Sequence, residues 1–480
     1  MPIAITLILH FSNLPLLFGF FLWALILLPF IIIKAFTKFE VYLFFLVLTL
    51  ILEKYSYYVG FAIRLPLIVI ACTILFYLIR SLVIGRLRVE GKFLPLLALL
   101  YLNYWLGAIW ATNPTRVIRV SILYFFLFAL FLITLNTLQS HHRIRYAANC
   151  LIVVGCLGAC YGFYQVIAFG LGWPTELPFT EYLLYHKTYT TNVTVFNLGG
   201  ILIPRINSTF NDPVLIGSFS GVALMVMLSA YFFYYADGRL NKRLHVLYCS
   251  GLVLLSLCVL LTFSRSSWLG VIAGLGMFGV LLITGRRTHR LVRRVIVTGF
   301  FAFVAGLWFF PLLREIIIGR VSQIFDMTDR STIGHMKWVK VALHAWSENP
   351  LFGVGLNNFG EFYAKKYQAT SHAMTHSAYL SFVAENGLIG LFLEVSLIAL
   401  ILKLAFHALG VAKKTGNMYY KYLLIGLISG YTVILGSNLT YHFYTQFYVW
   451  FIKGLVVATA SYVILQSKVE SSPASVSRLA

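Results

Sequence analysis

Three residues could act together if the chain brings them to one place: Arg205, Arg265 and His376. A guanidinium is a planar fork that donates paired hydrogen bonds to phosphate oxygens and stays charged. An imidazole titrates near neutrality and can take a proton from a hydroxyl. Two such arginines and one histidine suit a reaction in which a phosphate-type group leaves while a hydroxyl attacks. Each residue also has a bland reading. Arg265 stands in Leu261-Thr262-Phe263-Ser264-Arg265-Ser266-Ser267-Trp268-Leu269-Gly270, between two apolar runs with almost no loop. A charge at that depth is costly unless paired or wetted, which makes it a candidate functional residue; the alternative is an arginine snorkelling to the interface. Arg205 lies in the turn-rich Ile203-Pro204-Arg205-Ile206-Asn207-Ser208-Thr209-Phe210-Asn211-Asp212-Pro213. Alone it reads equally as a solvated loop arginine, but a ligand beside it would meet the positive end of the helix that begins at Val214.

His376 opens Thr375-His376-Ser377-Ala378-Tyr379-Leu380, where an apolar segment starts. A lone histidine there is more often structural. His372, four residues earlier, raises a metal pair, but no glutamate or third histidine has matching spacing. Asp326-Met327-Thr328-Asp329 is the nearest approach to an Asp-x-Asp and reads as a loop or cap. A metal-assisted transfer usually needs carboxylates on its metal. The sequence therefore points to arginines for that electrostatic task, with no metal and no cofactor.

The elements that must position these residues are membrane spans. Of 480 residues, 60% are hydrophobic and only 11% charged, far from a soluble domain. Apolar runs of about 20 residues recur throughout, which predicts an all-α polytopic membrane protein rather than a β-barrel of alternating segments. Candidate spans are about 14–34, 38–53, 63–84, 93–111, 116–137, 146–171, 214–236, 244–263, 266–284, 294–312, 377–402, 420–438 and 445–466. The first two are divided only by Lys34 and Lys38, so the expected number is 12–13. The net charge of +22 sits mostly in short loops and is the positive-inside signature, not a nucleic-acid footprint. The loops at 80–92, 141–145, 239–243, 285–294 and 403–421 all fall on one side, which is then cytoplasmic. The six cysteines lie in or beside apolar runs and form no metal pattern. No cleavable signal peptide is evident.

Two long segments fall on the opposite side, 172–213 and about 313–376. The second carries seven Lys/Arg and five Asp/Glu, an excess that suits an anionic ligand. Within it, 332–347 predicts an amphipathic helix with Met336, Val339, Leu343 and Trp346 on one face and Lys337, Lys340 and His344 on another. It would rest on lipid headgroups and form one wall of a site. Asn349-Pro350 stops it and Gly353-Val354-Gly355 allows a tight loop. The expected organisation is N-terminal spans in 1–171, a first extracytoplasmic segment in 172–213, spans carrying Arg265 in 214–312, a helical extracytoplasmic cap in 313–376, C-terminal spans in 377–466 and a cytoplasmic tail in 467–480.

In their order, these pieces resemble the O-antigen ligase and O-antigen polymerase superfamily of bacterial membrane glycosyltransferases. The resemblance rests on Arg205 with Ser208-Thr209-Phe210-Asn211, on Thr262 to Trp268, and on Arg330 followed by Trp346-Ser347-Glu348-Asn349-Pro350-Leu351-Phe352-Gly353-Val354-Gly355. It continues through Thr375 to Leu380 and Glu385-Asn386-Gly387-Leu388-Ile389-Gly390, covering about residues 200–400. The chain departs from the family at Ser377, where asparagine often follows the histidine.

The resemblance implies a GT-C-type fold of about twelve spans in the bacterial cytoplasmic (inner) membrane, with the active site on the periplasmic, extracytoplasmic face. It implies transfer of a glycan from an undecaprenyl-pyrophosphate-linked donor to lipid A–core or another glycan acceptor, by inversion and without metal or nucleotide. Arg205 and Arg265 would bind the pyrophosphate and His376 would act as the base. Asn211, Arg330, Lys337, Trp346 and Tyr379 are further candidates for substrate binding. Expected partners are the lipid-linked glycan, the acceptor and membrane lipids, with no nucleic acid. A polysaccharide polymerase, including one for capsular or teichuronic-type polymers, uses the same donor and stays open. A transporter or flippase would show ionisable residues in mid-span and repeated broken helices, neither of which is clear in the sequence.

Overall fold

Apolar length decides most of the architecture. The computed structural model describes residues 39–58, 62–84, 92–176, 193–198, 201–282, 330–368 and 374–470, with scattered helical positions between 308 and 322. The expected span at 14–34, most of that at 294–312, Asp326 to Asp329 and residues 471–480 lie outside the described residues, while 467–470 of the expected tail continue the last helix. Within them the chain forms α1 (Phe39–Leu50), β1 (Ser56–Tyr58), β2 (Ala62–Arg64), α2 (Leu65–Ile84), α3 (Leu94–Leu106), α4 (Pro114–Thr137), α5 (His141–Leu171), β3 (Val195–Leu198) and β4 (Ile201–Pro204). There follow α6 (Pro213–Ala236), α7 (Lys242–Leu261), α8 (Arg265–Leu282), α9 (Arg330–Glu348), α10 (Phe359–Tyr367), α11 (Ala378–Lys414), α12 (Met418–Ser437) and α13 (Phe447–Glu470). Eight of these, α4 to α8 and α11 to α13, are long and apolar enough to cross a bilayer. The chain is a multi-pass helical membrane protein. The strands make two antiparallel hairpins, and the second, pairing Val195 with Pro204 and Leu198 with Ile201, delivers the chain to Arg205.

Helix ends are set by local chemistry. Asn113, Ser140, Asp212, Asn241, Ser377 and Asn417 each accept a backbone N–H in the first turn of the helix they precede. Pro114 and Pro213 follow two of these caps, where a missing N–H costs nothing. The centre of the bundle is α6, enclosed by α5, α7, α8 and α12. Helix α8 approaches α12 through Gly270, where a Cβ would lie 2.1 Å from Ser437 Oγ. Gly217 of α6 likewise meets Ser267 of α8. These contacts bring the N-termini of α6 and α8 and the C-terminus of α12 to one end of the bundle. The turns at the other end carry Arg143, Arg145, Arg239, Lys242, Arg243, Lys413 and Lys414, as the loop charges predict.

Helix α9 spans the expected amphipathic stretch and packs, with α10, on the first turns of α11 through Val341, Ala342, Ala345, Phe359, Phe362, Tyr363 and Ala384. Helix α11 is broken at Gly387 (φ 62°, ψ −165°), and the 349–355 loop docks on the break. Val354 and Gly355 donate to the carbonyls of Ala384 and Glu385, while Leu388 and Ile389 donate to those of Pro350 and Leu351. The Glu385 carboxylate accepts from the N–H groups of Asn357 (2.9 Å) and Phe359 (3.3 Å), which fixes the start of α10. Trp110 donates to Gly353, Asn113 and Asn358 exchange hydrogen bonds, and Arg116 pairs with Glu361, tying this cap to the α3–α4 turn. The expected span at 93–111 is correspondingly shorter as an α-helix. It ends at Leu106 because Gly107 tightens into a 3₁₀ turn against Gly355.

One reading of the sequence does not hold. Mid-span ionisable residues are present: Lys453 of α13 and Glu394 of α11 form a fully enclosed ion pair at 2.9 Å, with the ammonium 3.9 Å from the centre of the Trp450 ring. Each lies alone in a long apolar run, so neither stands out until the helices are packed.

Candidate functional site

The β4–α6 loop is stitched to the end of α7. Arg205 N–H donates to Thr194 O, Ile206 N–H to Leu261 O and Arg205 Nε to Thr262 O at 2.8 Å. Behind it, Gln165 of α5 both accepts from Ser208 N–H and donates to Ser208 O, and Ser208 Oγ donates to Gly158 O. Lys54, whose N–H donates to Thr209 O, pairs with Glu176 in the same wall. The loop is therefore rigid before any ligand arrives. At the α7–α8 turn, Ser264 Oγ accepts from Ser267 N–H and places Arg265 as the first residue of α8. Phe263 and Ile203 pack together with Leu261 and Trp268, joining this turn to the hairpin.

His376 enters from a third direction. Its neighbours Thr375 and Ser377 are buried, bonded to each other and, through Thr375, to Ser381. Ala378 N–H donates to both Asn438 O and Tyr441 O, which fixes the α11 start against the α12–α13 turn. That turn reaches α8 as well, since Thr440 Oγ1 donates to Ser266 Oγ at 2.8 Å. Ser377 caps α11 through Leu380 N–H. Serine and asparagine are comparable caps.

Among the described residues, five non-glycine residues have positive φ, and three of them fall in the three motifs: Ser208 (53°), Phe263 (47°) and His376 (53°). A side chain there costs roughly 1–3 kcal/mol and persists only where surrounding contacts over-determine it, as at functional sites.

Asp212 caps α6 at this end of the bundle. Its Oδ1 accepts from Val214 N–H at 2.8 Å, so the helix end expected to meet a ligand is already occupied by a carboxylate. Tyr441 feels the Asp212 charge. Arg205 and His376 both feel the Asp212 charge, and Arg205 feels that of Arg265. Burial holds the Arg205 pKa below its ordinary value and Arg265 acts the same way, against Asp212 and Tyr441. Burial lowers the His376 pKa too, and Asp212 opposes it. Burial, with Asp212 and Glu53, pushes the Tyr441 hydroxyl well above its ordinary value, so it remains a donor. His442 beside it is pushed down to about 4 by burial and is neutral.

Arg205, Arg265 and His376 thus come to one end of the bundle, where the α12–α13 turn meets the starts of α8 and α11. Asn211, next to Asp212, is exposed. Arg330 begins α9, and its side chain lies outside the described residues. Lys337 donates to Tyr363 Oη at 2.7 Å, and Trp346 Nε1 donates to Pro350 O, both within the cap. Tyr379 Oη donates to Leu435 O, tying α11 to α12. Among the described residues, no three His, Cys, Asp or Glu side chains converge as a metal site. A cavity of about 160 Å³ lined by His141, Asn417, Tyr420 and Tyr462 lies at the opposite, basic end and is separate from this cluster.

Asp212 and Tyr441 were missed by sequence reasoning. Asp212 precedes Pro213 and reads as a helix cap, which it also is; Tyr441 sits in an aromatic turn between two spans.

Fold and cluster together define a multi-pass helical membrane protein with a rigid, arginine-bearing polar end. Residues 250–395, less than half of the chain, match the family described as O-antigen ligase, which supports the O-antigen ligase superfamily. Its members are membrane glycosyltransferase-like enzymes. The match includes Arg265 and His376 but not Arg205. No curated protein matches the chain.

Proposed function

We propose that the protein is a ligase that moves a glycan from an undecaprenyl-pyrophosphate carrier to a hydroxyl of a lipid or surface acceptor, lipid A–core in a two-membrane host, on the extracytoplasmic face. The observation that supports this is that the loop carrying Arg205, bonded through Arg205 Nε to Thr262 O, the turn carrying Arg265 and the turn carrying His376 meet at one end of the bundle, the last two through the α12–α13 turn. In the reaction, the acceptor oxygen attacks the anomeric carbon as its proton passes to His376. The C–O bond to the pyrophosphate breaks, and its electron pair leaves with the phosphate oxygen. Negative charge grows on the carrier pyrophosphate, so preorganised arginines stabilise the transition state more than the ground state. A base opposite the leaving group gives single displacement with inversion. The residues provide this electrostatic task without a metal.

The test is reconstitution of the full chain with an undecaprenyl-pyrophosphate glycan, with and without a lipid A–core acceptor. Product that requires the acceptor supports the ligase. A ladder of longer lipid-linked glycans without it shows a polymerase instead, and no product in either arm refutes glycan transfer.

A further inference from the structure

The loop that carries Arg205 sits on one face of α5. Gly158, Gly162 and Gln165 recur at helical spacing along that helix and share a face. The two glycines let the loop approach. A Cβ on Gly162 would lie 2.3 Å from Ile206 Cγ2, and one on Gly158 would lie 3.7 Å from Ser208 Oγ. Gln165, fully buried, then grips the backbone of Ser208 at two points: Oε1 accepts from Ser208 N–H at 2.7 Å, and Nε2 donates to Ser208 O at 3.1 Å. Ser208 is in the left-handed region (φ 53°), and these bonds, with Ser208 Oγ on Gly158 O at 2.7 Å, hold it there. The amide has one orientation that works. Nε2 also donates to Glu176 Oε1 at 3.3 Å, and a carboxylate can only accept. Turning the amide over would set its oxygen against that carboxylate and lose both bonds to Ser208. Glu176 is itself buried, paired with Lys54 and accepting from Tyr161 Oη at 3.0 Å.

We propose that Gln165 is a positioning residue for Arg205, oriented by the buried Lys54–Glu176 pair, and that this seat on α5 sets where the guanidinium stands when the carrier pyrophosphate arrives. This rests on the donor-binding role given to Arg205 under the proposed function. Between Arg205 and Ser208 the loop has little slack. Thr194 accepts from Arg205 N–H and from Asn207 Nδ2, and Leu261 O accepts from Ile206 N–H. Arg205 Nε donates to Thr262 O, so a loop that left the seat would break that bond or drag the turn that carries Arg265. The relation between the two arginines is thereby fixed by a helix that supplies neither of them. The seat also gives the buried ion pair a purpose. Such pairs can often be replaced by apolar residues without loss of stability. Here the carboxylate does what an apolar side chain cannot: it decides which end of the Gln165 amide meets Ser208 N–H.

The test is the binding of undecaprenyl pyrophosphate, without glycan, to the full chain in detergent, for Gln165→Met, Arg205→Ala and the double variant. Gln165→Met keeps the length of the side chain and removes its hydrogen bonds. It should weaken binding by roughly fivefold to a hundredfold, the worth of leaving the buried Ser208 N–H and C=O without their partner. The double variant should bind no more weakly than Arg205→Ala alone, because the seat acts through that guanidinium. Binding unchanged in Gln165→Met, or losses that add to those of Arg205→Ala as a general weakening of the fold would, overturns the proposal. In the transfer assay the donor KM of Gln165→Met should rise with the binding loss; a fall in kcat at unchanged donor KM counts against it. Gly162→Ala crowds Ile206 without removing a hydrogen-bonding group, and serves if Gln165→Met disturbs folding. It too should weaken binding only where Arg205 is present, and Ile206→Ala in the same chain, which removes the crowded Cγ2, should restore part of the loss. Lys54→Met with Glu176→Gln removes both charges and lets the amide turn over. It should reproduce part of the loss, and wild-type binding in that variant would overturn the orienting role of the pair. A wild type that binds no undecaprenyl pyrophosphate defeats the functional reading by itself. The seat then stands if Gln165→Met quickens hydrogen exchange at the amides of 206–210, and falls if it does not.

Discussion

Burial lowers the pKa of His376, so at neutral pH the imidazole is largely unprotonated and ready to accept a proton. Transfer should hold from neutral pH into the weakly acidic range and fall as pH drops through a midpoint below the ordinary imidazole value of about 6.5. A limb centred above neutrality in a pH profile of the purified protein would contradict this. His376→Ala should leave donor binding nearly intact and slow transfer by roughly 10²–10⁴-fold. Arg265→Lys keeps the charge but loses the planar fork, and should lose transfer while folding as the wild type; Arg205→Ala should weaken donor binding as well as turnover. Measuring binding and transfer separately distinguishes these outcomes, and His376→Ala at the wild-type rate would end the assignment. These three residues stand out in the sequence because arginine and histidine are anomalous in or beside apolar runs. Asp212 was hidden by its own second role as a cap. Tyr441 was hidden because an aromatic residue between spans is ordinary, and only the packing shows that its carbonyl holds the start of α11.

Secondary elements were legible where length and caps decide them. Helices α4 to α8, α12 and α13 fall close to the apolar runs, and α9 ends where Asn349-Pro350 predicts. The break in α11 was not legible, because glycine is common in membrane helices and Gly387 differs only in having the 349–355 loop docked against it. That contact also gives Gly353-Val354-Gly355 and Glu385-Asn386-Gly387 a role that the residues did not suggest: they are two halves of a clasp that fixes the cap. The Lys453–Glu394 pair tests whether mid-span charge is structural. Lys453→Met alone strands a carboxylate in the bundle and should destabilise the protein by about 3–5 kcal/mol, whereas adding Glu394→Leu should recover most of that loss. Thermal unfolding in detergent of both single variants and the double one checks this. If the double variant is stable but loses transfer, the pair serves the reaction and not the fold.

At the scale of the whole molecule, charge patterning and hydropathy set the topology, and the structure adds the convergence of loops at one end. The arrangement predicts that transfer survives excess EDTA; activity lost to EDTA and restored by Mg²⁺ or Mn²⁺ would overturn that expectation. The α12–α13 turn supplies Tyr441 and both carbonyls that hold Ala378 N–H, and it belongs to the last hairpin of the bundle. Synthesis proceeds from the N-terminus, so Arg205, Asp212, Arg265 and His376 are all in the bilayer before that hairpin exists. The polar end is therefore completed late in biogenesis, and a nascent chain cannot carry a finished site while it is still leaving the translocation machinery. Severing the chain at the exposed turn around Gly416 (φ 71°) should give two fragments that are inactive apart and recover transfer when co-expressed. Activity from the N-terminal fragment alone would show that the last hairpin is dispensable. The order in which the ribosome delivers the helices thus delays the arginine-bearing polar end until the rest of the bundle is in place.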